Sequence, residues 1–139
     1  MEEFVKIDEH YKELFDEVSG MENSIERLAR FWRSSLEYID QMGIKVVKVV
    51  FHAEIGPSRK TPYISSRKRP VFKIVENLIS DGQAAGLVQD NPSPSQLAGS
   101  IITCWRGLLY EWCLADGKFD LPDAGDRLFE ILIDGLKKG

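Results

Sequence analysis

The chain has 139 residues, 43% of them hydrophobic and 29% charged, with a formal net charge of −4. A single domain of that size buries roughly two-thirds of its unfolded surface. The negative charge argues against non-specific binding of nucleic acid, and two cysteines and two histidines without a Cys-x-x-Cys or His-x-x-x-His give no signature of a metal site. The chain opens Met-Glu-Glu rather than with a basic start before an apolar run. No signal peptide is expected, and the cytoplasm is the default location.

Glu3 to Val18 reads as the first helix. Phe4, Ile7, Tyr11, Leu14, Phe15 and Val18 recur at helical spacing, and Gly20 ends it. Asn23 or Ser24 caps a second helix, Ile25 to Met42, whose apolar stripe is Ile25, Leu28, Trp32, Leu36 and Ile39, with Ser35 on the same side. Gly43 stops it. Val46, Val47, Val49 and Val50 favour a strand by propensity. Lys45, Lys48 and His52, however, stand three and four apart, which makes a stripe only on a helix. Ile44 to Ile55 is therefore expected to be a third, mostly buried helix.

Gly56 to Arg69 is the longest irregular stretch, with Pro57, Pro62 and the basic residues Arg59, Lys60, Arg67, Lys68 and Arg69. It reads either as an anion-binding or gating loop or as a solvated connection. Ser66 is a candidate cap for the fourth helix, with Pro70 in its first turn, where a missing N–H does no harm. That helix runs to about Ala85 and turns Val71, Ile74, Val75, Leu78 and Ile79 inward. Gly82 inside it marks tight packing or early fraying.

The fifth helix opens with a capping box, Ser93 and Gln96, around Pro94, and Gly117 stops it after Asp116. From Pro94 to Ala115 only Arg106 and Glu111 carry charge. Leu97, Ile101, Cys104, Trp105, Leu108 and Trp112 share one face, widened by Ala98, Ile102, Leu109 and Cys113. The opposite side, Gly99, Thr103, Arg106, Gly107, Tyr110 and Leu114, is not a charged, solvated face. Such a helix is expected to be buried from two directions, and the second burial calls for another chain or a ligand. A membrane span is rejected: Arg106 at mid-bilayer costs at least about 2.5 kcal/mol. Cys104 and Cys113 lie about 13 Å apart along the axis and cannot pair. Asp120 caps a last helix that begins at Leu121-Pro122. Leu128, Phe129, Ile131, Leu132, Ile133 and Leu136 give it a wide apolar arc too. Six helices and no strand make the fold all-α, in one domain spanning residues 1–139.

The second half carries a more specific pattern. Ile79-Ser-Asp-Gly-Gln-Ala-Ala-Gly-Leu-Val-Gln-Asp90, Pro94 to Ala98, Gly107-Leu-Leu-Tyr-Glu-Trp112 and Leu128-Phe-Glu-Ile-Leu-Ile-Asp-Gly-Leu136, in that order, resemble C-terminal domains of the tetracycline-repressor (TetR/AcrR) family. Before Ile79 the likeness rests on helix order alone. The resemblance implies a six-helix effector-binding and dimerisation domain of a transcriptional regulator. Its last two helices form a four-helix bundle with those of a second copy. Its other helices enclose a cavity for a small, often apolar effector. The helix-turn-helix that precedes this domain in the family is absent from the chain, and Glu3 to Val18 matches the helix that leaves it. Contact with DNA is thus expected only through a missing N-terminal domain.

The expected cavity residues are Trp32, Ser35 and Ile39 of the second helix, Phe51 of the third, Val75 and Leu78 of the fourth, and Ile102, Trp105 and Arg106 of the fifth. For the apolar ones, plain core packing is the competing reading. Arg106 amid apolar neighbours calls for a carboxylate or an anionic ligand; the alternatives are a snorkelling side chain and a pair with Glu111 of a neighbouring chain. The expected homodimer contact comprises Ser100, Thr103, Gly107, Tyr110, Leu128, Leu132 and Leu136. No catalytic residues, metal ligands or cofactor are read, and no membrane partner. A ligand-free dimerisation or adaptor bundle and, further off, a small all-α enzyme remain the alternatives. A pocket of roughly 300 Å³ or more among the helices separates the sensor from the adaptor.

Overall fold

A computed structural model describes residues 2–56 and 63–138, with the side chains from residue 4 onward. Its elements are α1 (Glu2–Val18), α2 (Ser24–Met42), α3 (Ile44–Ile55), α4 (Pro70–Ala84), α5 (Pro94–Leu114) and α6 (Leu121–Leu136). No strand occurs among the described residues; Val88 and Lys137 form one isolated bridge. None of these helices is long and apolar enough to cross a membrane.

Local chemistry sets most of the ends. The Asn23 side chain accepts from the backbone N–H groups of Ile25 and Glu26, so of the two candidate caps Asn23 is the one used. Ser93 and Gln96 form the full capping box at α5, and Asp120 accepts from Asp123 N–H at α6. Ser66 does not cap α4. Arg69 occupies that position without a side-chain bond to the first turn of the helix, and the Ser66 hydroxyl instead accepts from the Lys68 N–H at 3.3 Å. The chain leaves α5 through Gly117, whose φ of 72° suits a residue without Cβ and whose N–H reaches the Trp112 carbonyl at 2.9 Å.

Packing is organised around α2, which lies against α1, α3, α4 and α6, while α5 lies against α3, α4 and α6. The α2–α6 seam is close. The Trp32 indole N–H donates to the Gly125 carbonyl at 2.9 Å, its ring meets Phe129 at 5.4 Å, and a Cβ at Gly125 would collide with Leu36. Arg33 pins the rim of that seam through Asp126 and Asp123. The α1 and α4 stripes and that of α2 fall inward as expected, apart from partly buried Phe15 and Ile25. The third helix departs from expectation. It is a helix, but only Val47 and Glu54 are buried, and Val46, Val49 and Ile55 are exposed. Its helix neighbours are α2 and α5, and Val50 packs partly on the core, while Val46 and Val49 stay uncovered among the described residues.

Candidate functional site

Two small cavities sit in the interior, both against α5. The first, about 30 Å³, lies between α1, α2, α3 and α5 and is lined by Phe4, Ile7, Tyr11, Ile39, Phe51 and Trp105 among others. The second, about 20 Å³, lies between α2, α4 and α5; Trp32, Ser35, Val75, Ile102 and Trp105 line it. Each holds little more than one water-sized group. Neither approaches the volume expected of a preformed ligand pocket.

The expected cavity residues therefore divide. Five of them, Trp32, Ser35, Val75, Ile102 and Trp105, meet around the second cavity, while Ile39 and Phe51 face the first. Trp105 is the wall common to both. Leu78 is fully buried and borders neither. Arg106 lies elsewhere, on an outer groove of about 610 Å³ with Arg67, Phe72, Gln96, Ser100 and Thr103. The tryptophans do not stack on each other: Trp32 meets Phe129, and Trp105 meets the Tyr11 ring edge-on at 6.1 Å. Ser35 donates its hydroxyl proton to the Trp32 carbonyl at 2.8 Å, so its polarity is satisfied within α2.

A polar cluster closes one end of the first cavity. Arg69, read from sequence only as one of five basic loop residues, is buried there. Its Nη2 and Nε donate to Asp8 Oδ1 at 3.0 and 3.3 Å, and its Nη1 donates to the Ile64 carbonyl at 3.2 Å. The Tyr63 hydroxyl donates to Asp8 Oδ2 at 2.9 Å, and the guanidinium lies 4.8 Å over the Phe4 ring. That bond to Asp8, with burial second, raises the Tyr63 phenol above its ordinary pKa. The neighbouring Tyr11 is fully buried, and its hydroxyl lies near Arg69 without meeting hydrogen-bond geometry. Burial is the main cause that pushes its pKa far up. The sequence did hold a signal for this cluster: Asp8 falls among Phe4, Tyr11 and Phe15 at helical spacing, a carboxylate inside an apolar stripe. The anion-binding or gating loop falls partly outside the described residues, at 57–62; the described remainder, 63–69, forms turns that deliver Tyr63, Arg67 and Arg69.

The outer face of α5 and α6 is the other candidate. Tyr110, Leu114 and Ile131 are 47%, 64% and 71% exposed. Gly107 and Gly135 have open space where a Cβ would stand, so no close approach among the described residues accounts for either glycine. Of the residues expected at a dimer contact, Ser100, Thr103, Gly107 and Tyr110 are exposed, whereas Leu128, Leu132 and Leu136 are half-buried and pack on the core. Leu114 and Ile131 are exposed apolar side chains of α5 and α6 that lie outside the expected set. Comparison with protein-family models, with curated proteins and with solved structures finds no match to this chain.

Proposed function

We propose that this chain is the effector-sensing and dimerisation domain of a transcriptional regulator of the type it resembles, acting as a homodimer and reaching DNA through a separate domain attached at α1. One observation supports the reading above others. The helix α5 borders both internal cavities through Trp105 and turns an uncharged stripe of Gly107, Tyr110 and Leu114 outward. A molecule that displaces Trp105 moves the same rigid helix that a second copy would grip. An effector biases such a pair of states only by its difference in affinity for them. Because the cavities are so small, an effector enters by shifting Trp105 and joining them, not by filling a preformed pocket.

The small volumes favour a second reading, a ligand-free adaptor bundle. Titration with 1-hexanol, cyclohexanol and toluene separates the two, read as melting temperature and tryptophan emission of the full chain. The sensor reading expects saturable stabilisation by at least one probe, with a matching change in the dimer dissociation constant. Saturation by none of the three, with an unchanged dimer, leaves the adaptor.

A further inference from the structure

We infer that the groove where Arg67 and Arg106 converge across α5 binds a small organic oxyanion, a carboxylate or phosphate on a compact apolar body. The groove lies outside both internal cavities, and its 610 Å³ is of ligand size. The inference rests on this groove alone and does not need the regulator reading.

Arg106 sets the site apart from an ordinary basic patch. It makes no ion pair or hydrogen bond among the described residues, and its Nε is buried without a partner. Burial first, then the positive charges of Arg69 and Arg67, hold its guanidinium below its ordinary pKa. The three arginines are not equivalent. Asp8 neutralises Arg69. Arg67 gives one Nη to the Ser95 carbonyl at 3.3 Å and lies 4.7 Å over the Phe72 ring, with no carboxylate partner among the described residues. A Cβ at Gly99 would come within 2.5 Å of Arg67 Nη2, so Arg67 lies directly across the helix at this glycine, and its tip would have to shift for any larger residue there. Two like charges are thus held together, one of them half-desolvated, at a cost that an entering anion offsets. Guanidinium forks suit the paired oxygens of a carboxylate or phosphate. Gln96 uses its amide oxygen on the α5 cap, which leaves its NH₂ group for the ligand, and Ser100 lines the same groove. A second copy would bring Glu111 of α5 and the acidic residues of α6, and the dimer readout below separates that occupant from a free anion.

Phenyl phosphate, benzoate and benzyl alcohol share an aromatic body and differ in charge. They are titrated calorimetrically, at constant ionic strength, into the full chain and into Arg106→Gln and Arg67→Gln. At least one of the two anions is expected to bind the unaltered chain and to bind either variant about tenfold more weakly or worse; benzyl alcohol is expected to bind none. The tighter of the two anions identifies the head group. Arg106→Lys, which keeps the charge and loses the fork, guards against a Gln variant that fails to fold; it too is expected to bind more weakly than Arg106. Equal anion binding by the unaltered chain and the variants overturns the inference, as does absence of anion binding by the unaltered chain. So does an Arg106→Gln that dissociates a dimer with anion binding intact, which assigns Arg106 to the contact between copies.

Discussion

Asp8 and Arg69 show how one pair of residues can tie remote parts of the chain. They are 61 residues apart, and both are buried. Removing two charges from water costs several kcal/mol each, and only good geometry recovers it. Here Asp8 accepts from both Arg69 and Tyr63, and Arg69 has a carbonyl and an aromatic face besides. The asymmetry of such pairs gives a sharp expectation. Asp8→Ala leaves a buried guanidinium without its anion and should cost about 3–5 kcal/mol in urea unfolding. Asp8→Leu combined with Arg69→Met removes both charges and should regain most of that loss. A double variant as unstable as the single one sinks the account. The sequence marked Asp8 by its place in an apolar stripe. Nothing local marked Arg69, because its neighbours Arg67 and Lys68 have the same composition and stay exposed.

The ends of α5 and the start of α6 were legible because caps act over three to five residues, whereas the start of α4 has no side-chain cap and was not. The Ser93–Gln96 box, the Asp120 cap and the Gly117 stop each involve groups adjacent in sequence. The α3 helix was legible against its valine propensity, because Lys45, Lys48 and His52 need only a period to be read; all three are exposed. Its burial was not legible, since that depends on how many neighbours the fold supplies. Glycines divide in the same way. A Cβ at Gly82 would come within 2.6 Å of Val88 Cγ2, so the tight-packing alternative holds there. At Gly107 the space is open. Both substitutions gain up to about 1 kcal/mol of helix propensity. Gly107→Ala should therefore stabilise the isolated chain, and Gly82→Ala should destabilise it, as read from urea midpoints. A Gly82→Ala variant as stable as the parent refutes the close-packing explanation.

For the whole molecule, the question is what covers the outside of α5 and α6. An isologous contact places the same patch on both copies, and an obligate one commonly buries about 2,000 Å² or more in total. Leu114 and Ile131 are the most exposed large apolar side chains of α5 and α6, so Leu114→Glu or Ile131→Glu should yield monomers in sedimentation equilibrium with the helical signal intact. Leu132→Glu is a poorer probe, because that side chain also packs on the core. An unaltered chain that sediments as a monomer at micromolar concentration removes the dimer from the proposal.

By itself, the sequence determined the helices, the caps of α5 and α6 and the apolar stripes of α1, α2 and α4, since period and capping are properties of neighbours within a turn; it left the α2 cap between two residues and misplaced that of α4. It also showed that α5 and α6 carry more apolar surface than a single inward face. Tertiary structure alone decided how that surplus is divided, leaving Leu109 and Ile133 inside and Leu114 and Ile131 outside. It decided that Arg69 meets a carboxylate while Arg106 meets none among the described residues. It also decided that the space around Trp105 shrinks to two water-sized cavities. Each of these outcomes turns on ångström-scale fit between segments tens of residues apart, where a side chain's fate depends on what arrives opposite it.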